Sequence, residues 1–124
     1  MKIDNIFEGK EDVIYGKGAT AEEIADAEKK LGLVFSDDYR QYLLKYRIAM
    51  YDGHELTGLG KEQRTNVVNV TNEKKMFYQN IPSGWYVVED ANIDGIVIWQ
   101  DAKGNIYCNN NKINDSLIDY VCEQ

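Results

Sequence analysis

Residues 20–46 read TAEEIADAEKKLGLVFSDDYRQYLLKY, and the rest of the fold is read outward from them. Thr20 with Glu23 three positions on is a capping box, in which each side chain satisfies a backbone N–H of the other. Glu22, Glu23 and Asp26 favour the positive end of the helix dipole. Ile24, Ala27 and Leu31 recur at helical spacing, Lys29 and Lys30 close the last turn, and Gly32 stops the helix. After the apolar link Leu33-Val34-Phe35, Ser36 caps a second helix whose first turn holds Asp37 and Asp38. Tyr39, Tyr42, Leu43 and Tyr46 form its buried stripe. The short connection predicts a helical hairpin.

Before this pair lies an irregular segment with a short helix predicted at Ile3–Phe7. After it, Met50-Tyr51-Asp52-Gly53 reads as a turn and Glu55–Leu59 as a short strand. Thr65 reads as the cap of a helix running from Asn66 to Gln79, although Val67-Val68-x-Val70 also suits a strand. The last third is β-rich. Ile81-Pro82-Ser83-Gly84 is a turn, Trp85–Glu89 and Ile96–Trp99 are strands, and Asp101–Asn105 joins the second of these to Ile106–Cys108. Asn109–Asn111 is a turn-forming run, and Ser116 or Asp115 caps a final helix with Leu117, Ile118, Tyr120 and Val121 apolar. Helices followed by a meander of strands predict an α+β fold, a mostly antiparallel sheet flanked by helices.

The chain has 124 residues, enough for one domain, 1–124, that buries about two-thirds of its unfolded surface without a metal or disulfide. Apolar residues make up 44%, and 14 residues are aromatic, nine of them Tyr, which excludes a disordered chain. Fourteen Lys+Arg against 21 Asp+Glu give −7, against direct nucleic-acid binding and in favour of a basic or neutral partner. The charge is even along the chain, −4 over residues 1–62 and −3 over 63–124. Residues 1–19 lack the apolar core of a signal peptide, and no stretch approaches a membrane span. Cys108 and Cys122 are read as reduced thiols, so the expectation is a cytoplasmic protein.

No residue set predicts catalysis, a metal or a cofactor. His54 is the single histidine, cannot form a zinc site alone, and is read as a surface-loop residue. Cys108 is read as buried in a strand. Asp90, Asp94 and Asp101 lack calcium-loop spacing, and Gly16-Lys17-Gly18 lacks the frame of a phosphate loop. Tyr is enriched at protein interfaces, which leaves binding as the reading. Tyr39, Tyr42 and Tyr46 are assigned to the core, whereas Tyr51, Tyr78, Trp85 and Tyr86 lie beside turns and are expected at the surface.

The run Thr20-x-x-Glu23-Ile24-x-x-Ala27-Glu28-x-x-Leu31-Gly32-Leu33-x-Phe35-x-x-Asp38-Tyr39-x-x-Tyr42-Leu43 resembles the opening of the SUKH superfamily. The resemblance continues through Tyr51-Asp52-Gly53-x-Glu55-Leu56-x-Gly58-Leu59, Ile81-Pro82-x-Gly84-Trp85-Tyr86-Val87-Val88, Asp94-Gly95-Ile96-Val97-Ile98-Trp99 and Gly104-x-Ile106-Tyr107. The chain departs from the family pattern at Phe35-Ser36, where relatives have Leu-Pro, and over Arg47–Gly53, where relatives have a paired Asn-Gly. The resemblance implies an α+β domain without a catalytic residue. Many bacterial members are immunity proteins that neutralise a toxin, often a nuclease or deaminase. Fungal members are interaction modules in cell-wall assembly. The partner surface expected here comprises Trp85, Tyr86, Asp90, Asp94 and Asp101 near the hairpin, facing a basic cognate toxin.

Overall fold

The computed structural model describes residues 3–91 and 95–124. Helix α1 spans Ala21–Leu31 and carries the expected capping box: Thr20 N donates to Glu23 Oε1 at 3.0 Å and Glu23 N donates to Thr20 Oγ1 at 3.1 Å. Gly32 ends it in the left-handed region at φ 67°. Helix α2 spans Asp37–Tyr46, with Ser36 Oγ accepting from Tyr39 N. Glu28 ties the pair together, its Oε2 accepting from Phe35 N and from Arg40 Nη2, each at 2.8 Å.

Seven strands form one antiparallel sheet in chain order. They are β1 (Ile14–Tyr15), β2 (Ala49–Tyr51), β3 (His54–Leu56), β4 (Tyr86–Asp90), β5 (Val97–Gln100), β6 (Ile106–Cys108) and β7 (Asn111–Asn114). Helix α3 (Val67–Phe77) lies between β3 and β4 in the chain, and α4 (Leu117–Cys122) follows β7. The α+β expectation holds.

Several boundaries differ from the sequence reading. Ile3–Asn5 is a 3₁₀ turn. The turn at Asp52-Gly53 has both residues at positive φ, 46° and 81°, which suits a two-residue hairpin and brings β2 into the sheet ahead of β3. Asn66, not Thr65, caps α3, its Oδ1 accepting from Val68 N and Asn69 N. Thr65 instead closes a 3₁₀ turn, Gln63–Thr65. The Asn run turns at Asn109, φ 55°, and continues as the edge strand β7.

Alternation along the strands separates two faces. Tyr86, Val88, Ile98 and Ile106 join the main core with Phe35, Tyr39, Tyr42, Leu43 and Leu117. Val87, Val97 and Trp99 form a second cluster with Val70 of α3, edged by Tyr78, Ile81, Trp85 and Tyr107. Burying a side chain such as Leu43 contributes about 1.5–3 kcal/mol. The register shifts between Val87, opposite Trp99, and Glu89, opposite Ile98. Val88 is the extra residue of this β-bulge, and the shift turns Glu89 onto the core face, where strict alternation would have put it on the other.

Candidate binding surface

The residues expected at the hairpin separate into different environments. Trp85, half-buried, stacks on Tyr107 with ring centroids 4.0 Å apart and 20° between planes. The Tyr107 hydroxyl donates to Asp101 Oδ2 at 3.0 Å, which brings Trp85 and Asp101 into one patch. Asp101 Oδ1 accepts from the Lys103 and Asn105 backbone N–H groups, and Oδ2 also accepts from Asn105 Nδ2. Burial alone would raise this carboxyl, but the hydrogen bonds from Asn105 and Tyr107 outweigh it and hold the group below the usual range. Asp101 thus organises its own turn. Asp90 Oδ2 lies 3.0 Å from Lys74 Nζ, an ion pair between β4 and α3. Asp94 falls outside the described residues.

Tyr86 is not at the surface. It is the first residue of β4 and points into the main core, fully buried, with its hydroxyl donating to Gln100 Oε1 at 2.7 Å and accepting from Ser36 N. Tyr51 is also fully buried, because β2 runs on to Tyr51, two residues further than a turn reading of Met50–Gly53 allows. Cys108 and Cys122 are both half-buried.

His54 is not a loop residue. It sits on β3 directly opposite Tyr51, their rings stacked at 5.1 Å, and its Nδ1 is 2.8 Å from Glu89 Oε2. The other Glu89 oxygen accepts from the Tyr120 hydroxyl at 2.6 Å. Glu89 is 4% exposed, so a carboxylate turned inward by the bulge is held between β3 and α4. Burial and the Glu89 charge push the Tyr51 and Tyr120 hydroxyls well above the usual phenol range. The Tyr51 hydroxyl is the one buried side-chain polar atom without a hydrogen-bond partner among the described residues. Sequence reasoning missed this cluster. Its signal was a glutamate inside the apolar run Val87-Val88-Glu89, which reads as an ordinary outward position unless the bulge is known.

Among the described residues no group of three His, Cys, Asp or Glu side chains is placed to hold a metal ion, and no helix is long and apolar enough to cross a membrane. Large apolar side chains do reach solvent: Met76 and Phe77 at the end of α3, and Ile14 and Tyr15 on the edge strand β1. Together with the antiparallel meander, these features describe an α+β domain with apolar side chains at its surface.

The family model SUKH_5, described as SMI1-KNR4 cell-wall, matches residues 3–121, and the chain belongs to this family. The chain is also similar to the uncharacterized protein YnaB of Bacillus subtilis (strain 168), 35% identical over 78 residues. That match covers 62% of this chain and 46% of YnaB, so the chain spans less than half the length of that relative.

Proposed function

We propose that this protein is a cytoplasmic immunity protein that binds and neutralises a cognate toxin, a nuclease or deaminase, by protein–protein contact and without chemistry of its own. The observation that carries this reading is membership of the SUKH family over residues 3–121, a family in which many bacterial members have that role. The −7 charge supports it, because opposite charge speeds encounter with a nucleic-acid-cleaving toxin, whose substrate surface is basic. An inhibitor of this kind masks the toxin's active site or substrate surface. A second reading, an interaction module like the fungal regulators, draws on the cell-wall wording of the family description.

Co-expression with the toxin domain encoded beside it tests the proposal. The expected result is a stable complex and restored cell growth. No complex and no rescue with any neighbouring toxin, with host proteins captured instead, would replace it by the second reading.

A further inference from the structure

Ten of the twenty acids among the described residues are neutralised within the protein by a Lys or Arg. Asp26, Glu28, Asp37, Glu62, Glu73 and Asp115, among others, each pair with a Lys or Arg. Seven exposed acids carry no ion pair among the described residues: Glu22 stands apart in the first turn of α1, and the other six are Glu8, Glu11, Asp12, Asp52, Asp119 and Glu123. These six are far apart in sequence and gathered at one end of the fold. Glu11 N donates to Asp52 Oδ1 at 2.6 Å and Asp52 N donates to Glu11 O at 2.8 Å, which ties the N-terminal segment to the β2–β3 turn. Lys10 Nζ donates to Gln124 O at 2.7 Å, which ties the same segment to the residues after α4. Among the described residues, six acids against Lys10 leave −5 at this end, where the whole chain carries −7. The even split along the sequence is therefore uneven in space.

A second observation, independent of the charge, lies behind the same end. A groove runs between His54, Ile113, Tyr120 and Glu123. At its wall His54, about a third exposed, contacts the buried Glu89 carboxylate and stacks on the ring of Tyr51, whose hydroxyl has no partner among the described residues. Burying a hydroxyl without a hydrogen bond is unfavourable by about 1–3 kcal/mol, and native folds rarely keep one without a use. The buried Glu89 charge acts on this hydroxyl, and that of Asp52, the next residue, adds to it. A guanidinium has five donors in a planar fork, enough for a carboxylate and a neutral acceptor together.

We propose that this end is the docking surface for a basic segment of the partner protein, with one arginine displacing the His54 ring and donating to Glu89 and to the Tyr51 hydroxyl. This rests on the immunity reading for the identity of the partner, but not for the chemistry of the surface. The six unpaired acids draw the segment in, and the buried pair fixes the anchor.

The test uses the full chain and an octa-arginine peptide at low salt, followed by backbone amide and His54 side-chain shifts in NMR. Shifts are expected at residues 8–12, 52–54 and 119–123. The variant Glu11→Gln, Asp12→Asn, Asp52→Asn, Glu123→Gln should bind at least tenfold more weakly. A charge-matched control, Asp26→Asn, Asp37→Asn, Glu62→Gln, Asp115→Asn, should lose less than threefold. Tyr51→Phe, with no change of charge, should lose several-fold. Shifts spread over the whole surface, or equal losses in the two quadruple variants, would overturn the docking surface. Unchanged affinity in Tyr51→Phe would overturn the arginine seat. The same variants measured against the neighbouring toxin keep the two proposals apart. If wild type binds no toxin, the immunity reading fails and the peptide result alone decides the surface.

Discussion

At the scale of single residues, tyrosine is the amino acid whose meaning changed most. Nine tyrosines suggest an interface, yet most of the buried ones are structural donors. Tyr39 bonds Thr57 Oγ1, Tyr42 donates to Thr57 O, Tyr46 to Ile3 O, Tyr86 to Gln100 and Tyr120 to Glu89. A phenol can fill a core and still satisfy its hydroxyl, which polar-tip arguments from composition do not reveal. Tyr51 departs from this pattern, and Tyr51→Phe should therefore stabilise the free protein by about 1 kcal/mol, read as a raised denaturant midpoint with unchanged slope. Glu23 gives a second prediction. Its bidentate hydrogen bonds with Arg47, both at 2.8 Å, hold its carboxyl at about 2 against an ordinary value of 4.5. A depressed carboxyl contributes stability that is fully present above the unfolded value and is lost as pH falls through the folded one. Wild type should exceed Glu23→Gln in stability by a constant margin above pH 4.5, and the margin should shrink between pH 4.5 and 2. Thermal unfolding of both chains across that range checks it.

At the scale of elements, capping chemistry made the helices legible. Thr20/Glu23, Ser36 and Ser116 each cap as read, because one side chain and one N–H suffice to mark a helix start. The strands that escaped notice, β1, β2 and β7, are short or polar: Ile14–Tyr15 is two residues long, Ala49–Tyr51 follows Arg47 at φ 65°, and Asn111–Asn114 is an exposed edge. None carries a period-2 apolar signal long enough to be read as a strand. The bulge at Val88 is invisible for a related reason, since an inserted residue leaves composition unchanged. The link after β3 rests on a close approach. A Cβ on Gly58 would lie 1.8 Å from the Arg47 carbonyl oxygen, so Gly58→Ala must push two backbone segments apart. Its expected cost is about 3 kcal/mol or more, at the upper end of overpacking. Denaturant unfolding of Gly58→Ala beside Gly84→Ala, where nothing lies within 4 Å, separates the clash from the loss of glycine itself.

At the scale of the whole molecule, the α+β class and the SUKH family were both readable, since they depend on helix starts, turn glycines and apolar order. The surface was not. Of the hairpin residues, Tyr86 went to the core, while Asp90 and Asp101 are engaged by Lys74 and by their own turn. Net charge cannot locate an acidic face, because that depends on which acids the fold pairs internally. The central claim is that this small acidic domain neutralises a toxin by binding it. Titration of the purified toxin domain encoded beside it, followed by calorimetry with toxin activity assayed in the same samples, tests it most directly. The account predicts saturable binding at one to one, with activity falling in step. Full toxin activity at saturating concentrations of this protein, with no heat of binding, would contradict it.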